Sequence, residues 1–384
     1  MEQWIEFGID NYIKTIEDDK LFQGENEAVF KQVFFEEQLK LHKRYKTVKK
    51  CSCPNCEKKS IKKSHTVSRK MSLEEIQENK KVVTPAFVEK YPIREEFIEI
   101  EYVGIGIATT FPGFCKEHER IFETFERAGT IRNEADIVRQ AYRNVVYNCF
   151  IQKSLLEQME RIGDHYYEIR DVLAYKYIKK YDRANLLKSI KIVGKDKHIR
   201  NIEDFKERQL LFYSQLEYFK EKLWNEIEGR KTDVDFSSVL IDIKIPVCIC
   251  GCTEIVFQRE NYICSVDVIP FANNTLITLG FDKVIPKELK EEIDLKLDNP
   301  LAVLNFIEAT MIYGTDNWYL KPSVWEKLGS KRQEEILLEM QKIEKSLFND
   351  APYSVFDDIR VGILNLMFAD SDLSKKEWDK MLSC

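Results

Sequence analysis

The chain has 384 residues, of which 44% are hydrophobic and 12% aromatic, and its formal net charge is −6. This length and apolar content are enough to bury a sizeable core in one or two domains, and they exclude a wholly disordered chain. The acidic balance excludes a protein coated in positive charge, so any contact with nucleic acid must come from a local basic patch.

The compartment is predicted from the start of the chain and from its cysteines. No basic segment followed by an apolar core opens the sequence, which argues against a signal peptide. No apolar run approaches the roughly 20 residues that a membrane span needs. In a large chain without a signal peptide, cysteines are metal ligands or buried thiols more often than disulfides. We therefore expect a cytoplasmic protein that does not contact a membrane.

Hydrophobic spacing divides the chain into four predicted segments. Residues 1–50 follow a helical pattern that ends in a strongly basic run, and residues 51–130 hold the ligand pairs described below. Residues 131–232 repeat apolar side chains at near-heptad spacing, which predicts long antiparallel helices that serve as a spacer or a dimerisation arm. Residues 233–384 begin with β-branched, partly alternating stretches and end in helical patterns, which predicts a mainly antiparallel sheet with helices.

Two pairs of metal-ligand residues organise the second segment. Cys53 and Cys56 form one pair, and Cys115 and His118 form the other, each with a spacer of two residues. Such a spacer lets both members of a pair turn toward one ion, and thiolate and imidazole ligands suit tetrahedral zinc. Cys51 is an alternative ligand, although its spacing to Cys53 is less usual. The pattern predicts a structural Zn²⁺ ion.

A helix that begins at Cys115, after the Pro112-Gly113 break, would complete this ligand set. At about 100° per residue, such a helix has two adjoining stripes of side chains, one facing the zinc and the core and one edging a cleft. The first stripe holds Cys115, His118, Phe122 and Phe125, and the second holds Glu119, Glu123 and Glu126. A knuckle, a hairpin and a helix in this order are the layout of a treble clef. We predict an α+β, helix-rich fold with a treble-clef zinc module, a long helical hairpin and a mixed C-terminal sheet-plus-helix domain.

The same segment resembles the HNH-type, ββα-metal endonucleases, which combine a Cys-x-x-Cys knuckle, a histidine on the first hairpin strand and a helix opened by a second ligand pair. The resemblance implies that His65 is the general base that activates water. It also implies that Glu119, with Glu126, holds a catalytic Mg²⁺ or Mn²⁺ ion, because carboxylates suit hard cations. Arg69 would neutralise the phosphate. The structural zinc ligands would be Cys53, Cys56, Cys115 and His118.

This chain departs from the family pattern at three places. Ser64 precedes the histidine, the second ligand pair is Cys-x-x-His, and glutamates stand where the family has an asparagine or a late histidine. The histidine and helix motifs also look like those of a group of uncharacterised bacterial proteins, some of which are associated with antiviral defence. That likeness suggests a context and implies no mechanism.

The resemblance and the local charge together predict a nucleic-acid partner, DNA in preference to RNA. Basic residues continue from the end of the first segment through the second, and basic clusters supply most nonspecific affinity for nucleic acid. The function we predict is a metal-dependent endonuclease that hydrolyses phosphodiester bonds. The alternative is a non-enzymatic adaptor in which zinc only stabilises a surface that binds nucleic acid or protein. A homodimer or a companion defence protein is a possible partner in either case.

A second group of cysteines lies in the C-terminal segment. Cys248, Cys250 and Cys252 alternate along a strand-like stretch, and Cys264 lies nearby. Alternation places the first three on one face of a sheet, where small buried thiols fit well. The interpretation as buried thiols is favoured, and a second metal site is the alternative.

Overall fold

The computed structural model of this protein describes residues 3–17, 47–87, 98–195, 197–342 and 347–369. The chain divides into two compact units. The first unit consists of residues 1–47, 89–94 and 149–215, and the second of residues 48–88, 95–148 and 216–384. The division into four consecutive segments stays a prediction. The second helical run predicted within residues 1–50, and most of the basic run that follows it, lie outside the described residues.

The described residues contain helices and strands in the proportions of an α+β fold, which confirms the predicted class. The helices are α1 (Gln3–Glu17), α2 (Glu74–Ile76), α3 (Glu123–Ala128), α4 (Glu134–Lys179), α5 (Lys197–Ile227), α6 (Lys287–Leu297), α7 (Pro300–Ala309), α8 (Pro322–Lys327), α9 (Gly329–Met340) and α10 (Asp357–Ala369). The strands are β1 (Ser64–His65), β2 (Lys81–Phe87), β3 (Ile98–Gly104), β4 (Thr110–Phe111), β5 (Asp235–Ile241), β6 (Val247–Phe257), β7 (Glu260–Pro270), β8 (Thr275–Phe281) and β9 (Trp318–Leu320).

Most strands of the second unit belong to one antiparallel sheet. Its seven strands lie in the order β3-β2-β9-β6-β7-β8-β5. Strands β5 to β8 are the ones predicted from the alternating stretches after residue 233. The other three come from elsewhere in the chain, because β2 and β3 lie between β1 and β4 and the short strand β9 follows the helices α6 and α7. The hairpin expected in the 51–130 segment is therefore a β1–β4 pair interrupted by two strands of the larger sheet.

The two faces of this sheet differ in chemistry because side chains alternate along each strand. Val247, Ile249 and Val268 point to an apolar core that also contains side chains of α6, α7, α9 and α10. Cys248 and Cys250 point to the opposite face, and both are fully buried. The prediction that the alternating cysteines share one face agrees with this arrangement. We call the second side the thiol face of the sheet.

Gly251 in β6 is a position where any side chain is expected to be costly. A Cβ atom there would lie 2.2 Å from Thr315 Oγ1 and 2.5 Å from Thr315 Cβ. Overpacking of this kind typically costs about 1–3 kcal/mol. We expect Gly251→Ala to lower the free energy of unfolding by that amount in urea titrations. Gly106→Ala is the control, because a Cβ there has nothing within 4 Å; equal stability of the two variants would contradict the packing.

The long helices α4 and α5 run antiparallel, as predicted. Within the first unit, Lys206 of α5 pairs with Glu160 of α4 at 3.1 Å, and Gly163 lies next to Ile202, so residue numbers rise along one helix as they fall along the other. These helices and α1 enclose a small core of the first unit, formed by Ile5, Tyr12, Tyr166, Leu173, Ala174, Ile178 and Ile199. Helix α4 begins after Asn133, whose side-chain oxygen accepts the backbone N–H of Asp136 at 2.9 Å and so caps the helix. None of the helices in the described part of the chain has a stretch long and apolar enough to cross a membrane.

Candidate metal centre

Four ligand-type side chains converge at one point of the second unit. They are Cys51, Cys56, Cys115 and His118, and their ligand atoms all lie within 4.8 Å of one another. Cys51 Sγ lies 3.3 Å and Cys115 Sγ 3.5 Å from His118 Nδ1, and the thiols of Cys56 and Cys115 lie 4.0 Å apart. Zinc–ligand bonds of about 2.3 Å to sulfur and 2.0–2.1 Å to nitrogen place the ligands of a tetrahedral ion at separations of this size. The group could hold one metal ion.

Backbone hydrogen bonds bring the two halves of this group together. In the knuckle, the N–H of Cys51 donates to Lys58 O at 2.9 Å and the N–H of Cys56 donates to Cys53 O at 3.3 Å. Asn55 takes a positive φ of 57°, which the tight turn requires and which asparagine tolerates. The N–H of Ser52 then donates to Gly113 O at 2.9 Å, which ties the knuckle to the loop that carries Cys115.

The fourth member of the group is Cys51, whereas the spacing predicted Cys53. The sulfur of Cys51 accepts the backbone N–H of Cys115 at 3.3 Å and lies against His118 Nδ1. Its pKa is lowered to about 4, chiefly by a hydrogen bond from the Cys53 thiol, together with backbone N–H donors. Cys53 is buried beside it, and the contact with Cys51 is the main cause that raises the pKa of the Cys53 thiol. The two cysteines thus differ in position, since the sulfur of Cys51 lies with those of Cys56 and Cys115 around His118, whereas Cys53 stands outside that group.

The helix predicted to begin at Cys115 is a 3₁₀ turn, His118–Phe122, followed by the α-helix α3, which begins at Glu123. Gly129 follows the last residue of α3 and takes a φ of 69°. The N–H of Cys115 points to Cys51 Sγ, so the residues after Cys115 form a turn around the ligand group before the helix starts. The predicted stripe is preserved, because Phe122 and Phe125 are fully buried beneath the group. They pack with Phe111, Phe114 and Tyr142 in an aromatic cluster.

His65 lies on β1, opposite Thr110 of β4, at a partly exposed position. Its Nδ1 lies 3.1 Å from Thr109 Oγ1, and the carbonyl of Ala108 is also a hydrogen-bond partner of the ring. Thr109 takes a positive φ of 60°, and its N–H donates to Tyr319 Oη at 3.3 Å. A non-glycine residue with a positive φ has a strained backbone, and contacts with its surroundings must keep it in that conformation. One ring nitrogen of His65 is thereby fixed.

The surroundings of His65 keep its imidazole neutral. Burial, together with the positive charges of Arg143, Arg69 and Lys63, lowers the pKa of His65 to about 4. At neutral pH the ring is therefore unprotonated and able to accept a proton.

The structure brings Glu119 and Glu126 together, and both carboxylates contact the side chain of Arg143. The guanidinium of Arg143 on α4 donates from Nη1 to Glu126 Oε1 at 2.8 Å and lies 3.5 Å from Glu119 Oε2 through Nη2. Arg143 is only 2% exposed, and its guanidinium carbon lies 4.4 Å from the centre of the Phe122 ring. Burial raises the pKa of Glu119, and the charge of Arg143 opposes that rise. The two carboxylates predicted to hold a divalent cation already face a fixed cation.

The predicted phosphate-binding residues lie on the surface of the module. Arg69 is half exposed and pairs loosely with Glu74, at 3.3 Å. Lys59, Lys62 and Lys63 are exposed, and no ion pair within the described part of the chain involves them. Lys58, in contrast, pairs with Glu117 at 2.5 Å. The basic character of the segment is therefore partly neutralised by its own acids.

A polar layer between α4 and the thiol face was not predicted from the sequence. Gln140 Nε2 donates to Asp267 Oδ1 and to the backbone oxygen of Thr66, both at 2.9 Å. Asn144, one turn further along α4, donates to Gly251 O at 3.0 Å. Asp267 is 1% exposed, and burial raises its pKa to about 7. The signal was present in α4, where polar side chains recur every four residues at otherwise apolar positions.

The thiol face provides no second metal site in the part of the chain that the structure describes. The group around Cys51 is the one set of ligand-type side chains there that lies close enough to hold an ion. Burial raises the pKa of the Cys248 thiol to about 12 and that of Cys250 as well. Buried thiols with a raised pKa fill space and are poor ligands.

No protein-family model, no curated protein and no solved structure matches this chain. The geometry of the second unit is therefore the basis on which a function is proposed.

Proposed function

We propose that this protein is a zinc-supported nuclease, similar in plan to HNH endonucleases, that binds nucleic acid and hydrolyses its phosphodiester bonds with His65 as the general base. The observation that carries the proposal is the environment of His65. A neutral imidazole, fixed through Nδ1 by Thr109 and partly exposed, stands beside Arg69 and Lys63. An imidazole that is unprotonated at neutral pH can accept a proton, and the cationic side chains beside it favour the binding of an anionic ester.

A structural zinc ion in the Cys₃His group is the second part of this proposal. Three thiols and an imidazole form a closed tetrahedral set, which is typical of structural rather than catalytic zinc. Zinc would hold the knuckle against the loop before α3 and so fix the β1–β4 pair that carries His65. The ion itself would take no part in the reaction.

The chemistry assigned to the chain is a single displacement at phosphorus. His65 accepts a proton from a water molecule through the ring nitrogen that carries no hydrogen, and the water oxygen attacks phosphorus. The bond between phosphorus and the leaving oxygen breaks, and that oxygen takes a proton from solvent. Arg69 and Lys63, which are exposed, neutralise charge on the phosphate oxygens. DNA is the favoured substrate.

Mg²⁺ or Mn²⁺, which the resemblance to HNH enzymes implies, does not fit the carboxylates of this chain. Arg143 occupies both Glu119 and Glu126. We therefore assign no step of the reaction to a divalent cation at these residues.

The nuclease proposal predicts that His65→Asn abolishes cleavage while zinc content and fold stay intact. The amide can keep the contact with Thr109 but cannot accept a proton at neutral pH, so the rate should fall by about 10²–10⁴-fold. Cleavage of plasmid DNA and of RNA would be measured, each with and without added Mn²⁺. His165→Asn is the control, because that histidine lies outside the second unit. Cleavage that survives in His65→Asn would refute His65 as the base.

The second candidate is a non-enzymatic adaptor, and the pairing of Arg143 with both carboxylates favours it. In that case the basic surface binds nucleic acid without cleaving it. Binding would then be unchanged in His65→Asn and reduced in Lys59→Glu/Lys62→Glu, with a salt dependence that weakens as phosphate contacts are lost. Wild-type protein that binds DNA and RNA but leaves both intact would decide for the adaptor.

A further inference from the structure

Glu119, Glu126 and Arg143 form a closed charge cluster whose composition differs from that of a cation-binding site. Glu119 and Glu126 lie on consecutive turns of the 3₁₀ and α3 segments, and Arg143 reaches them from α4. The guanidinium lies over the Phe122 ring, with 2% of the side chain exposed. Its position is therefore set by two carboxylates and an aromatic face at once.

The cluster leaves too few free ligands for a hydrated divalent cation. Mg²⁺ and Mn²⁺ require near-octahedral oxygen ligands, and Mg²⁺ usually keeps several waters. Among the buried oxygens of Glu119 and Glu126, only Glu119 Oε1 lacks a hydrogen-bond partner in the described residues. A second positive charge at that oxygen would stand close to the guanidinium and be repelled in a site of low dielectric constant.

We infer that Arg143 is the resident cation of this module: it pairs with the two carboxylates to which the resemblance assigns a divalent ion, and Glu119 and Glu126 serve to position it. The cluster ties the short helix after the metal centre to α4, so that Arg143 is a positioning residue. The inference goes beyond the proposed nuclease activity and holds whether or not the chain cleaves nucleic acid.

Manganese binding tests the inference without an activity assay. Zinc-loaded wild type and Glu119→Gln would be titrated with Mn²⁺ while the signal of free Mn²⁺ is followed by electron paramagnetic resonance. We expect the wild type to leave that signal unchanged, or to remove the same amount as Glu119→Gln if surface carboxylates bind the ion. Uptake of about one equivalent by the wild type that Glu119→Gln abolishes would overturn the inference.

Thermal unfolding provides a second, independent test of the role of Arg143. Arg143→Met should lower Tm by several degrees, because it leaves two partly buried carboxylates without their cation. Adding Glu119→Gln and Glu126→Gln to Arg143→Met should recover most of the loss, since the three charges act as one unit. Arg139→Met is the matched control on the same helix: the Arg139 side chain is 27% exposed, against 2% for Arg143. Its partner Asp136 keeps hydrogen bonds from Thr124 Oγ1 and the N–H of Arg132, so the Tm of this variant should change little. A triple variant no more stable than Arg143→Met would contradict the inference. The Mn²⁺ titration tests the inference even if Arg143→Met does not fold.

Discussion

Cys115→Ser is expected to cause the largest loss of stability among single substitutions in the second unit. Cys115 contacts both Cys56 and His118 in the ligand group, so its removal leaves an incomplete set for the ion. The binding free energy of structural zinc is about 10–16 kcal/mol in small zinc-finger peptides, and it is coupled to folding. We expect the variant to lose its zinc and several kcal/mol of unfolding free energy in a urea titration.

Cys264→Ser is the control for loss of a buried thiol. Cys264 is also fully buried, but it lies in the apolar core of the sheet and outside the ligand group. The Cys264→Ser variant should keep its zinc, and its free energy of unfolding should fall by about 1–3 kcal/mol, the usual cost of burying a polar group in a core. Equal losses in the two variants, with zinc retained in both, would mean that Cys115 acts only by packing.

Asp267→Asn is expected to have the second largest effect on stability, because it should change how the free energy of unfolding depends on pH. The Asp267 carboxyl is buried between the cross-strand neighbours Cys250 and Thr278. Its Oδ1 accepts a hydrogen bond from Gln140 Nε2, while Oδ2 has no hydrogen-bond partner in the described residues. Only the side-chain amides of Gln140 and Asn144 oppose the effect of burial on the pKa of Asp267, and neither of them is charged. The carboxyl is therefore desolvated without a paired cation, and its pKa is raised to about 7.

The sign of the effect follows from proton binding. Between about pH 4 and pH 7 the folded protein holds a proton on Asp267 that the unfolded chain has released, so stability falls as pH rises through this range. One pKa unit corresponds to about 1.4 kcal/mol, which gives a loss of up to about 4 kcal/mol for this group. Asp267→Asn should remove that dependence and be more stable than wild type at pH 8, since the new N–H can meet the unpaired oxygen of Gln140.

Unfolding free energies at pH 5 and pH 8 would measure this effect. Asp298→Asn, at an exposed position after α6, is the control and should keep the wild-type difference between the two pH values. A wild-type difference that Asp267→Asn leaves unchanged would show that Asp267 is not the group responsible.

The sequence predicted the elements whose signal is local. Strands β5 to β8 carry alternating β-branched side chains, and the long helices carry near-heptad spacing, so the periodicity of each element predicted its type. The ligand pairs around Cys56 and His118 were predicted from their spacing. Even there, the structure places Cys51 in the group, because the hydrogen bonds that shape the knuckle are not visible in a two-residue spacer.

The parts that were missed depend on contacts between distant residues. Strands β2 and β3 interrupt the β1–β4 pair and join a sheet whose centre lies more than 150 residues further along the chain, and no local pattern encodes that pairing. Arg143 was assigned to a helical spacer, since its partners Glu119 and Glu126 lie on a different element. For the same reason the sequence predicts that Glu119 and Glu126 bind a metal ion: it shows that both residues are acidic, but it does not show that Arg143 is their cation.

Elemental analysis of zinc in the purified wild type, Cys51→Ser and Cys53→Ser would establish the metal centre and its ligands. We expect about one zinc per chain in the wild type and in Cys53→Ser, and a clear loss in Cys51→Ser, because Cys51 belongs to the ligand group. Loss in Cys53→Ser alone would restore the ligand set predicted from the spacing. A wild type without zinc would contradict the metal centre on which the proposed function depends.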